Sequence, residues 1–121
     1  MLPDERDAAY LWDMLDAAKT VMDFTRGLTF NHYQQDKKLK YAVERSIEII
    51  GEAASRVSDT FRERHPEIFW KGIIGQRNVL IHDYGEIKQE RIWTVVTQRI
   101  PDLIKLLEPL IPIPPKQENG S

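Results

Sequence analysis

The sequence predicts an all-α, up-down bundle of four to five helices, and three observations predict it. Apolar residues recur at spacings of three, four and seven, and no segment alternates apolar with polar as a half-buried strand would. Capping and stopping residues bracket those periodic stretches, with Asp4 and Asp36 before them and Gly27 and Gly85 after them. The length of 121 residues is enough for one core and too short for two.

From the N-terminus, Asp4 caps a first helix in which Leu11, Met14, Leu15, Ala18, Val21, Met22 and Thr25 form one apolar face, until Gly27 stops it. Thr29 to Gln35 is a short connection carrying aromatic residues. Asp36 caps a second helix that runs to about Val57, with Leu39, Ala42, Val43, Ile47, Ile50, Ala53, Ala54 and Val57 turned inward. Gly51, Ala53 and Ala54 allow another helix to approach closely, while Arg45, Glu48 and Glu52 form a polar ridge. Asp36, Lys37, Lys38 and Lys40 read as a solvated helix start, with a role in guiding RNA as the lesser alternative.

Ser58 to Pro66 is a break with room for one short turn. A third helix begins near Glu67 or Trp70 and ends at Gly85. A fourth runs from Ile87 to about Leu107, with Ile92, Val96, Ile100, Leu103 and Leu107 inward and a kink or break at Pro101. Residues 1–108 thus make the bundle domain. Residues 109–121, with Pro109, Pro112, Pro114 and Pro115, are expected to form an extended or disordered tail from which Leu110, Ile111 and Ile113 dock on a neighbour.

Composition narrows the function. Lys and Arg number 17 against 19 Asp and Glu, a net charge of −2, so no global positive field holds the chain on nucleic acid and any anion site must be local. There is no Cys, and His32, His65 and His82 lack zinc-like spacing. No cofactor is expected. The acidic start and the lack of an apolar run near the roughly 18 residues of a membrane span point to a cytoplasmic protein without a membrane partner.

The third helix carries the chemistry. Trp70, Ile73, Ile74, Leu80, Ile81 and Tyr84 share one stripe, and Arg77 sits in its middle. A guanidinium keeps its charge, so an Arg at a core-facing phase must be paired, must meet another subunit, or must receive an anion. Asn78 and His82 are one turn apart, and Arg77 and Tyr84, seven apart, lie almost in line. RNA cleavage by its own 2′-hydroxyl needs a base, a cation facing the phosphorane, and an acid for the leaving 5′-oxygen. The reference pKa of an imidazole lies near neutrality, so His82 can serve as base or acid, and Arg77 offers a fork that matches phosphate oxygens. Two copies meeting along this helix would supply the second His.

The residues Arg77-Asn78-Val79-Leu80-Ile81-His82-Asp83-Tyr84 resemble the Arg-x4-His-x-Tyr motif of HEPN-domain ribonuclease toxins of the HepT type. The segments from Val43 to Ala54 and from Trp70 to Gly75 are similar to that family's in the same order, and the likeness runs from about Asp4 to Leu107. The resemblance implies a HEPN-type bundle, a homodimer with its RNA cleft at the interface, and metal-independent cleavage of RNA, with tRNA and mRNA as candidates. It places Arg77 and His82 at the catalytic positions and Asn78 at the polar position after the Arg. It further implies an MNT-type nucleotidyltransferase antitoxin that transfers AMP from ATP onto Tyr84, setting negative charge and bulk where RNA must enter.

Plainer roles stand beside these. Arg77 could be a structural cation paired with Glu52 or Glu48; His82 could sit favourably against a helix dipole; Tyr84 and Trp70 could be core or interface aromatics; and Asp83 could hold an Arg or solvent. His32 and His65 gain no role from their surroundings. The alternative function is a non-catalytic helical module that binds a nucleotide or partner and dimerises, or a plain dimerisation domain.

Overall fold

The computed structural model describes residues 3–82 and 89–112, with residues 77–82 described by their backbone alone. The described residues are helical with no strand among them, as the periodicity requires.

Helix α1, Glu5–Thr25, opens on the Asp4 carboxylate, which accepts the Asp7 backbone N–H at 2.7 Å. It closes at Gly27, whose φ of +76° is the left-handed conformation that favours glycine at a helix end. Its expected inner face is the observed one: Leu11, Met14, Leu15, Ala18, Val21 and Thr25 are buried and Met22 packs at the edge. Helix α2, Phe30–Gln34, is a single turn capped by Thr29 within what the sequence offers as a connection.

Helix α3, Lys37–Arg56, is capped by Asp36, which accepts the Leu39 N–H at 3.0 Å, and ends on Val57. Val43, Ile47, Ile50, Ala53 and Ala54 are buried along it, whereas Leu39 only leans against the core. Helix α4, Asp59–Arg64, fills the expected break with a short helix capped by Ser58.

Asp7 explains how the first two long helices are locked. Only 5% exposed, it accepts the Ser58 N–H at 2.9 Å and the Ser58 hydroxyl at 2.7 Å. Asp7 lies at the start of α1 and Ser58 just past the end of α3, so the two helices run antiparallel. A carboxylate this deeply buried is tolerated because its oxygens are met by donors.

Helix α5, Trp70–His82, packs against α3. After the undescribed residues 83–88 the chain resumes as α6, Gln89–Thr94. The expected continuous fourth helix with a kink at Pro101 is instead built in pieces. A π-helical turn, Val95–Arg99, comes first, and α7, Ile100–Leu107, comes next with Pro101 in its first turn. The reason is local: proline has no N–H and its ring crowds the carbonyl four residues back, and a widened turn upstream accommodates both. Ile92, Val96, Ile100, Leu103 and Leu107 are buried as the periodicity predicts. The tail does not begin extended: Glu108–Leu110 form a 3-10 turn, a first-turn position where the missing N–H of Pro109 costs little. Leu110 and Ile111 pack on this chain's own core, and residues 113–121, Ile113 included, lie outside the described residues.

Candidate functional site

The start of α5 is fixed by an aromatic corner. The Trp70 indole N–H donates to the His65 carbonyl at 2.9 Å, and its ring meets Phe61 edge-on at 6.4 Å between centroids. His65 stacks on Phe61 at 4.3 Å and its Nδ1 lies 3.0 Å from Glu67. Glu67's own backbone N–H, and then His65, hold the Glu67 carboxyl below its ordinary range. His65 therefore has a structural role that its sequence surroundings did not reveal.

From that corner α5 runs unbroken past Ile73 and Ile74, both packed on the core, to His82. Arg77, Asn78 and His82 are thus brought onto one helix within its last turns. Asn78 and His82 lie one turn apart on its backbone, about 6 Å along the axis. Asp83 and Tyr84 lie outside the described residues, as does the expected stop at Gly85.

Where the chain resumes at Gln89, a polar clasp joins three helices. Tyr33, with none of its surface exposed, donates its phenolic hydrogen to Gln89 Oε1 at 2.5 Å. Gln89 Nε2 in turn donates to Glu44 Oε2 of α3 at 2.7 Å. The Tyr33 ring lies 5.0 Å from Trp93 and 6.3 Å from Phe30 between centroids, so an aromatic cluster seals the clasp. Burial first, and then the charge of Glu44, push the Tyr33 ionisation well above its ordinary value. The clasp ties α2, α3 and α6 together where the chain resumes after the span carrying Asp83 and Tyr84. Its members are 45 and 56 residues apart in sequence, and no local pattern could have joined them.

Glu48 and Glu52, the expected structural partners for Arg77, each have an arginine of their own helix. Arg45 donates to Glu48 at 3.1 Å and Arg56 to Glu52 at 3.4 Å, all near the surface. Beside α5 lies an open groove of about 370 Å³. Its walls include Ile47 and Ile50 of α3, Ile73 and Gln76 of α5, Val95 of the π-turn and Leu103 of α7. At its rim Phe69 is 59% exposed, with the Arg99 guanidinium 6.0 Å from its ring centroid. Gly72 makes room for that ring, since a Cβ there would overlap it. Among the described residues no cluster of His, Asp and Glu has the makings of a metal site. None of their helices is long and apolar enough to cross a membrane.

Comparison with known proteins gives a consistent result. The family model described as ribonuclease HepT-like matches residues 14–110. A Methanocaldococcus jannaschii protein whose name makes it a candidate RNase is 39% identical over 110 residues, 91% of each chain. A second candidate RNase of that organism is 39% identical over 100 residues, covering 83% of this chain and 92% of its own. A Thermococcus cleftensis protein, named as a probable ribonuclease HepT, is 38% identical over 94 residues, 78% of this chain and 86% of its own. No solved structure matches the chain.

Proposed function

Because this chain belongs to the ribonuclease HepT-like family, we propose that it is a metal-independent endoribonuclease, the toxin of a type II toxin–antitoxin pair. The observation that carries this is the placement of Arg77, Asn78 and His82 together in the last turns of an uninterrupted α5. The cut proceeds by attack of the substrate's 2′-oxygen on the neighbouring phosphorus. The 2′-O–P bond forms, the P–O5′ bond breaks, and a cyclic phosphate and a free 5′-hydroxyl result. His82 takes the 2′-hydroxyl proton, and the His82 of a second copy gives one to the departing 5′-oxygen. Arg77 faces the phosphorane charge, Asn78 supports the pair from the same helix, and Asp83, next in the chain after His82, is the second supporting residue.

This division of labour needs two copies around one cleft. The open apolar groove beside Gln76, with exposed Phe69 at its rim, supports a dimer that uses this side of the molecule. The residue 1–108 bundle is the working domain, and the tail is accessory. Control comes from an MNT-type nucleotidyltransferase antitoxin. The Tyr84 oxygen attacks the α-phosphorus of ATP, pyrophosphate leaves, the phenolic proton is lost to solvent, and AMP remains on the ring. RNA substrates and an ATP-dependent partner place the action in the cytoplasm.

The test is incubation of unmodified protein with total RNA and purified tRNA in EDTA, beside Arg77→Ala and His82→Ala proteins shown to keep their oligomeric state. Cutting by wild type alone, leaving cyclic phosphate ends, is the expected result. If protein shown by mass spectrometry to be free of AMP leaves every RNA intact, a non-catalytic binding module takes the place of the nuclease.

A further inference from the structure

The first half of α3 carries an exposed face that neither the core nor the proposed catalytic set uses. After the Asp36 cap come Lys37, Lys38, Lys40, Tyr41 and Arg45. At about 100° per residue, Lys37, Tyr41, Arg45 and Lys38 fall within one arc on the side away from buried Val43, Ser46 and Ile50, and Lys40 flanks it. Tyr41 is 62% exposed, and the Lys37 ammonium lies 5.9 Å from its ring centroid. The acids nearby are engaged: Asp36 caps the helix, Glu44 holds Gln89, and Glu48 pairs with Arg45 at 3.1 Å. Glu44 and Glu48 share this arc, so the face carries four cations against two carboxylates, a small local excess of positive charge around a ring that is 62% exposed.

Its position is informative. Ile47 and Ile50 of α3 share the groove with Ile73 and Gln76 of α5, and Glu44, one turn beyond Lys40 and Tyr41, holds the residue at which the chain resumes after the motif. The early turns of α3 therefore lie beside the point at which the chain resumes after the motif. From Lys37 to Arg45 the face is about 12 Å long, room for about three stacked nucleotides at roughly 3.4 Å each.

We infer that this face is a track for single-stranded RNA flanking the cut, with one unpaired base stacked on Tyr41 and the phosphates facing Lys37, Lys38 and Lys40. The inference rests on the ribonuclease reading and adds to it the strandedness of the substrate. A ring stacks on any splayed base, whereas a paired base in an A-form duplex offers it no free face.

The test is fluorescence anisotropy with a labelled 2′-O-methyl oligouridine 12-mer, which binds without being cut, beside cleavage of unmodified RNA. Tyr41→Ala is expected to weaken binding about 5- to 100-fold, with Tyr41→Phe retaining wild-type affinity. A Lys37→Ala/Lys38→Ala double variant is expected to lower the slope of log affinity against log salt by about 1.4. The same 12-mer annealed to its complement should bind without dependence on Tyr41. If Tyr41→Phe falls as far as Tyr41→Ala, or if all variants bind as wild type while RNA is still cut, the track is refuted and the nuclease stands. A wild-type protein that neither binds nor cuts any RNA refutes the nuclease and the track with it.

Discussion

The α1–α3 pair and the α5–α6 end of the molecule are built by different rules. In the pair, two helices of 21 and 20 residues are capped by aspartates, and Leu11, Met14, Ala18, Val21, Val43 and Ala54 have no exposed surface. At the other end, α5 carries an Arg, an Asn and a His in its last turns, α6 has 6 residues, and a π-turn separates α6 from α7. The two regions are joined there by a polar clasp, Tyr33 to Gln89 to Glu44, inside an aromatic cluster. The regular pair is held by caps and apolar burial, whereas the other end is held by polar and aromatic contacts between residues far apart in sequence.

The sharpest way to break this comparison is to change one residue in each region and ask whether stability and activity separate. His82→Ala is expected to lower the rate of RNA cleavage by about 10²- to 10⁴-fold, the worth of a positioned proton-transfer group. Its urea unfolding free energy should stay within about 0.5 kcal/mol of wild type. Equal losses in both measurements would mean that the α5 end is structural, and the contrast would fail.

Leu11→Ala is the mirror experiment. Removal of a fully buried leucine leaves a cavity between α1 and its neighbours, and the expected cost is about 2–5 kcal/mol in urea unfolding. Cleavage per folded molecule should be unchanged. A Leu11→Ala protein that unfolds normally but cuts poorly would show that the pair shapes the site directly.

Legibility in the sequence divides along the same line. The limits of α1 and α3 and most of their buried apolar residues could be read because caps, glycine and a 3.6-residue period are local signals. Buried Asp7, Ala17 and Ser46 were not expected, and Met22, Leu39 and Ala42 are only partly buried. The helix that carries Arg77, Asn78 and His82 was also legible from its apolar stripe, and the backbone places all three on α5. The single-turn helix α2, the clasp and the Asp7–Ser58 lock were not. Each depends on partners brought together by the fold: 51 residues separate Asp7 from Ser58, and nothing near either names the other. The π-turn escaped for a related reason, because proline announces an irregularity without fixing which turn absorbs it.

The lock itself gives a smaller and more discriminating prediction. Asp7→Ala leaves the Ser58 N–H and hydroxyl without their acceptor, and Ser58→Ala removes one donor from a buried carboxylate. Each is expected to cost about 1–3 kcal/mol in denaturant unfolding, with the double variant costing less than the sum of the two. Full additivity would mean that the two residues act separately and that the start of α1 is secured by its own cap alone.

The smallest expected effect lies in the clasp and appears only at alkaline pH. Burial first and Glu44 second raise the Tyr33 ionisation above its ordinary value of 10.0. The unfolded chain therefore loses this proton at lower pH than the folded protein does. The stabilisation is fully present below about pH 10 and is lost as pH rises above it, at a limit of roughly 1.4 kcal/mol per pH unit for this one group. Tyr33→Phe removes the titration together with the bond to Gln89, so it should cost about 1 kcal/mol near neutrality and flatten the melting profile above pH 10. A wild-type profile no steeper than that of Tyr33→Phe would mean that the phenol ionises in place. Water would then reach the clasp, and the end of the molecule around α5 would be more open than the aromatic cluster implies.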